Sequence, residues 1–176
     1  YSKGKSIRKR DKSVYSRTEA GHWEADSVVS GLGKSKACFA TLAERKTRYY
    51  IAVKMPDRTA ATMERTIEAV LSSFPPELVK TITCDRGTEF ANWRSIEQTL
   101  GCDVYFADPY CAWQKGTNEN LNGLLREFYP KGRNLSRVSP ATLKRNLALL
   151  NARPRKVLGF CSPQSLWERE LLMCCT

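Results

Sequence analysis

The hydrophobic period of this chain changes once, near Thr59, and that change limits its fold more than any other feature. Before it, apolar residues come in short runs, at 22–30, 37–42 and 49–55. Gly31-Leu32-Gly33 and the charged stretch Glu44-Arg45-Lys46-Thr47-Arg48 separate these runs. Short runs with turn residues between them predict three strands in an antiparallel meander. After Thr59 the spacing becomes helical: Met63, Ile67, Val70, Leu71 and Phe74 share one face until Pro75-Pro76 stops the run. Short apolar strands at 79–84 and 103–107 then alternate with helices at about 89–100 and 117–128. Two basic helices follow, at about 140–151 and 163–173, with Pro154 between them. The order β-β-β-α-β-α-β-α-α-α predicts an α/β domain with one mixed five-stranded sheet covered by helices.

Charge is unevenly placed around this body. The net charge is +11, but residues 21–125 hold twelve basic and thirteen acidic residues and are close to neutral. Residues 1–20 carry seven Lys/Arg against two acids, and residues 126–156 carry nine against Glu127 alone. Basic flanks on a neutral, carboxylate-bearing body suit a polyanion such as DNA, although a solvated basic surface is the plainer reading of charge alone. The first twenty residues lack apolar periodicity and begin without Met. They read as a basic linker or arm of a longer protein, leaving residues 21–176 as the domain.

Seven cysteines without a C-x-x-C pair, and one histidine, argue against a structural zinc site. Scattered thiols in a chain with no secretory signal fit a reducing, cytoplasmic setting. No apolar run approaches the roughly 18 residues that span a bilayer, so no membrane partner is expected.

Three acids stand where ligands converge in an α/β sheet. Asp26 lies within the first strand among apolar neighbours, Asp85 directly follows the strand at 79–84, and Glu119 falls in the first turn of the helix at 117–128. Three carboxylates from separate elements provide the hard oxygen ligands that magnesium prefers. Two such ions about 4 Å apart stabilise both the attacking and the leaving oxygen of an in-line phosphoryl displacement. No nucleophile–histidine triad competes, because His22 is on the same strand as Asp26. Position alone leaves simpler readings open. Asp85 also suits a helix cap, and Glu119 a first-turn acid facing the helix dipole. Glu89 reads the same way, as a first-turn acid. An acid at position 26 is harder to explain without partners.

The residues around these acids are more specific. The segments GHWEADSVV (21–29), ERKTRY (44–49), TCDRGTEF (83–90), YFADPYCAWQKGTNENLNGLLREFYPKG (105–132) and LNARPRKVLGFCSP (150–163) resemble the transposases of the IS-thirty family of bacterial insertion sequences. That family belongs to the DDE group, whose core is RNase H-like and similar to the retroviral integrase catalytic core. The resemblance runs from Gly21 to about Met173. It implies that Asp26, Asp85 and Glu119 are the three catalytic and metal-binding acids, the last two 119 − 85 = 34 positions apart. It further implies two magnesium or manganese ions, DNA (transposon ends and target) as substrate, a homo-oligomer on DNA, a nucleoid-associated bacterial setting and no nucleotide cofactor. One position departs from the pattern. Arg86 stands where the family usually has Asn, and is expected to face outward towards phosphate.

Further roles follow around the acids. Asn122 and Arg126, three and seven positions after Glu119, share its helix face. By the resemblance Arg126 contacts DNA near the cleaved end, and Asn122 is grouped with it. The loop 110–115 mixes aromatic, amide and cationic groups of the kind that stack on unpaired bases and grip phosphates. Lys115 and Trp113 are therefore expected DNA contacts, with burial in the core an equal reading of Trp113. Arg153, Arg155 and Lys156, around Pro154, read as a phosphate-contacting cluster or as a plain charged turn. His22, Glu24 and Asn118 are expected to support the acids, the first two by sharing a strand face with Asp26, with Glu24 as ligand in place of Asp26 a lesser alternative. A nuclease of the same fold that only hydrolyses, or a DNA-binding remnant without catalysis, are the competing functions.

Overall fold

The computed structural model describes residues 4–109 and 111–174. Eleven regular elements run in the order β1 (Lys5–Ser6), β2 (His22–Val29), β3 (Cys38–Glu44), β4 (Tyr50–Met55), α1 (Ala60–Leu71), β5 (Thr81–Cys84), α2 (Trp93–Leu100), β6 (Asp103–Phe106), α3 (Gly116–Phe128), α4 (Pro140–Ala152) and α5 (Pro163–Cys174). Short 3-10 turns connect several of them. The strands form one sheet in the order β1-β6-β5-β2-β3-β4. The β2-β3-β4 meander is antiparallel, while β5 and β6 join beside β2 in parallel, as crossovers through helices require.

Strand alternation decides which helices cover which face. Trp23, Ala25, Cys38, Ala40 and Leu42 point to one side and bury against Met63, Ile67 and Leu71 of α1, Ile96 of α2 and Trp167 of α5. Val28, Phe39 and Ala43 point to the other and bury against Leu121 and Leu125 of α3 and Leu143 and Leu150 of α4. Trp23 anchors the first core: its indole Nε1 donates to the Leu78 carbonyl, and its ring meets Trp167 edge-on. Local signals set the helix ends. Thr59 accepts from the Thr62 amide at the start of α1, Gly101 closes α2 at φ +65°, and Ser139 with Pro140 opens α4.

The sheet has six strands rather than the expected five, because the first twenty residues do not behave as a free arm. Lys5 and Ser6 pair in parallel with Tyr105 and Phe106. Ile7 and Val14 are buried, Lys5 donates to both Glu97 and Asp103, and Arg8 pairs with Asp108. Two of the basic residues that suggested a linker, Lys5 and Arg8, are paired with acids of the domain, and Arg10 donates to Thr83. The second difference is at α2, expected from about residue 89. Thr88–Phe90 is instead a separate 3-10 turn, and α2 starts at Trp93. Glu89 is buried there: Ser27 Oγ donates to its Oε1 at 2.9 Å and Arg58 stands 3.6 Å away.

Candidate functional site

The strand register places the first two acids side by side. His22 is opposite Thr81 and Glu24 is opposite Thr83 on the adjacent parallel strand. Asp26 and Asp85 each lie two residues further along, so both emerge at the same level past the paired stretch. Asp26, Asp85, Lys115 and Glu119 together line one cavity of about 280 Å³. Asp85 follows β5 in a tight turn, where its Oδ1 accepts from the Gly87 amide at 2.9 Å. A Cβ on Gly87 would lie 2.3 Å from Glu89 Oε2 and 2.9 Å from Asp85 Oδ1, so a larger residue here would displace both carboxylates.

Lys115 ends the 3-10 turn before α3 and inserts its ammonium between the two aspartates. Its Nζ lies 3.4 Å from Asp26 Oδ1 and 3.2 Å from Asp85 Oδ2. Burial pulls the Lys115 ammonium down, yet the attraction of Asp26 and Asp85 outweighs it and leaves the group above its ordinary range. Burial pushes the Asp26 carboxyl up, opposed by Lys115 and by the Ser27 amide, which donates to Oδ1 at 2.8 Å. Asp26 Oδ2 accepts from Asn122 Nδ2 at 3.1 Å, and Asn122 Oδ1 accepts from the Tyr50 hydroxyl at 2.6 Å. Burial holds that hydroxyl far above its ordinary range, so Tyr50 stays protonated and remains a donor. A chain Tyr50–Asn122–Asp26 thus fixes one oxygen of the first acid from the helix that bears the third.

Glu119 takes its place from its neighbour. Asn118 is fully buried, and its backbone amide donates to Glu24 Oε2 at 2.8 Å. Its side chain donates to the Glu24 carbonyl at 2.8 Å and accepts from Thr41 Oγ1 at 3.1 Å. The first turn of α3 is therefore capped by a carboxylate of β2, and its next residue is presented at the cavity. Glu24 cannot be a ligand, because Arg45 holds its other oxygen in an ion pair inaccessible to solvent.

The other expected site residues divide. Asn122, expected at DNA, is committed to Asp26 and Tyr50. Arg126, expected near the cleaved end, donates to the carbonyls of Tyr129 and Val29, both at 3.3 Å. His22 lies at the far end of β2, hydrogen-bonded to Thr81 at 2.8 Å and Glu19 at 3.1 Å, and supports the strand rather than the acids. The Arg86 guanidinium lies over the Phe106 ring at 5.7 Å and is not among the residues that line the cavity. Trp113 is 72% exposed, which excludes a core role. Arg153 pairs with Glu127 across exposed surface, Arg155 donates to the Leu150 carbonyl, and Lys156 is exposed. Tyr110 of the expected stacking loop lies outside the described residues. The role of Tyr50 escaped the sequence reading; its signal was a tyrosine opening a strand on the face that carries Asp26.

Among the described residues no three His, Cys, Asp or Glu groups are close enough to form a ready metal cluster. The donor set nonetheless fits a hard cation: two adjacent carboxylates already hold one positive charge, and a third lines the same cavity.

This architecture is the RNase H-like fold of retroviral integrase cores. The crystal structure of the catalytic core domain of BIV integrase matches it with a TM-score of 0.68 at 18% identity, covering 89% of this chain and 99% of that one. A simian T-cell lymphotropic virus intasome structure, in complex with a PP2A regulatory subunit, matches at 0.61 and 14%, covering 76% of this chain and 49% of that one. The chain belongs to the integrase core domain family, whose model matches residues 17–112. Its sequence is 40% identical over 166 residues to transposase InsI for insertion sequence element IS30A of Escherichia coli (strain K12), covering 94% of this chain and 43% of that protein. It is 42% identical over 158 residues to the transposase for insertion sequence element IS1086 of Cupriavidus metallidurans, covering 90% of this chain and 46% of that protein. The chain thus spans less than half the length of these relatives.

Proposed function

We infer that this chain is the catalytic core of a DNA transposase, which cleaves at transposon ends and joins the released 3′-OH to target DNA. The observation that carries this reading is the placing of Asp26 and Asp85 on adjacent strands with Glu119 lining the same cavity. Asp26, Asp85 and Glu119 would hold magnesium or manganese. Bound there, the ions would supply the Lewis acidity that an in-line displacement at phosphorus needs. The chain's own groups order the carboxylates. Asn122 and the Ser27 amide hold the two oxygens of Asp26, the Gly87 amide holds Asp85, and Asn118 with Glu24 fixes the start of α3. Lys115 keeps the two aspartates together by supplying a positive charge between them.

In the first step a water oxygen bonds to phosphorus, the bond to the 3′-oxygen breaks, and a 3′-OH is released. In the second that 3′-oxygen bonds to a target phosphorus as the target's own 3′-oxygen departs. One phosphodiester replaces another, so no nucleotide is consumed. Trp113, exposed in the turn before α3, would stack on an unpaired base, and Arg86, Arg153 and Lys156 would offer charge to phosphates. Such a core would act as a homo-oligomer on paired DNA ends.

A branched duplex whose free 3′-OH abuts the phosphodiester at the branch tests the chemistry without requiring recognition of an end sequence. With magnesium the chain should reverse strand transfer and release two resolved products. Release of hydrolysed strands alone would support the nuclease reading. Bound but unreacted DNA would defeat both.

A further inference from the structure

A second charged cavity, of about 360 Å³, lies on the other flank of the α3 N-terminus, and its sign is opposite. Arg17, Arg48 and Arg155 line it together with Gly116, Thr117 and Asn120, and no carboxylate does. Its positive charge is poorly compensated. The acids whose charge acts on these guanidinium groups are the buried Glu24 and Glu44 and, at Arg155, the exposed Glu127, which already pairs with Arg153. Glu24 already accepts from Arg45 and from the Asn118 amide, and Glu44 from the amides of Gly21 and Thr47 and the Thr47 hydroxyl. Arg48 Nη1, Arg155 Nε and Thr117 Oγ1 are all buried without a hydrogen-bond partner, and Thr117 is 4% exposed. Burial first, then Arg17 and Arg45, pulls the Arg48 guanidinium down to about 10. Arg17 is lowered by burial and by Arg45, and Arg155 by burial and by Arg153. Unpaired donors and like charges are gathered here in a place that costs free energy unless an anion fills it.

The positive end of the α3 dipole adds to this field, as do the rigid forks of three arginines, whose geometry matches phosphate oxygens. We propose that the cavity binds a non-reacting phosphodiester of the DNA strand, gripped by Arg17, Arg48, Arg155 and the Thr117 hydroxyl. Helix α3 then separates two phosphate positions by about its own width, on the order of 10 Å. One position is at the carboxylates and one is at the arginines. The proposal rests on the reading of the chain as a DNA-transferring enzyme and deepens it.

Fluorescence anisotropy with a labelled 20-base-pair duplex in EDTA reads binding without chemistry. Arg48→Gln and Arg155→Gln should each weaken binding about ten-fold and lower the slope of log affinity against log salt by about one. Thr117→Val, which keeps size and shape, should weaken binding two- to three-fold. Arg48→Lys should fall between Arg48→Gln and the parent, because it keeps charge and loses the fork. Urea melts identify any variant that fails to fold, in which case Thr117→Val decides. Folded variants with parental affinity and salt slope would overturn the proposal. So would inorganic phosphate raising the parent's Tm, but not that of Arg48→Gln, with DNA affinity unchanged, since a free anion would then be the occupant. A chain that resolves branched DNA while Arg48→Gln binds normally defeats the arginine site alone. One that binds through Arg48 yet resolves nothing defeats strand transfer alone.

Discussion

The two flanks of the α3 N-terminus carry opposite charge imbalances. On one side two aspartates share one lysine, and a glutamate lines the same cavity. On the other, three arginines line a cavity with no acid in its wall. Between them Glu24, Arg45 and Asn118 form a buried partition in which the charges are paired and the helix amide is satisfied. The contrast teaches that paired charge is structural here, whereas unbalanced charge lies beside cavities. Each cavity lacks the sign its ligand would bring.

Four substitutions sharpen or break that contrast. Asp26→Asn, Asp85→Asn and Glu119→Gln should each cut strand transfer by roughly a thousand-fold or more, with DNA affinity in EDTA within about two-fold of the parent. Product gels and anisotropy read the two effects separately, and activity surviving any of them would remove that acid from the site. Glu24→Ala attacks the partition. It leaves the Arg45 guanidinium buried without its carboxylate and uncaps α3, so urea melts should show a loss of about 3–5 kcal/mol. A loss below about 1 kcal/mol would show that the partition is not structural.

Asn122→Leu breaks the Tyr50–Asn122–Asp26 chain and should lower metal affinity or turnover by about 10–100-fold, read by magnesium titration of strand transfer. If Asn122 instead touched DNA, the loss would appear in EDTA anisotropy. The smallest effect belongs to His22, remote from both cavities. Burial lowers its pKa, with Glu19 opposing, so the folded state binds fewer protons than the unfolded state below the ordinary value of about 6.5. Its contribution is full above that value and is lost as pH falls through the folded pKa. His22→Asn should flatten the slope of stability against pH just below that ordinary value. An unchanged slope would assign the pH dependence to other groups.

Much of this arrangement was legible before any coordinates, and the reason is local. Asp26 stood in an apolar strand, Asp85 at a strand end, and Glu119 in a first helical turn beside a motif-rich loop. Periodicity also predicted α1, α3, α4 and α5 to within a few residues. What escaped was pairing across long sequence distances. Lys115 read as a DNA contact because nothing near it in sequence shows that it enters the acid cavity. Asn122 and Arg126 read as outward groups because helix spacing identifies a face but not what covers it. Residues 1–20 read as a linker because their few apolar residues, Ile7 and Val14, have no period, and their partners Glu97, Asp103 and Asp108 lie about ninety or more positions away.

That N-terminal strand has a consequence for solution behaviour. By pairing with β6 it covers a sheet edge whose amides and carbonyls would otherwise stand open. The family model starts at residue 17, beyond this strand. A domain trimmed to that boundary would keep all three acids and lose the cover. It would expose β6 as a template for another chain and strip Glu97 and Asp103 of their lysine. The trimmed domain should therefore self-associate at concentrations where the whole chain does not.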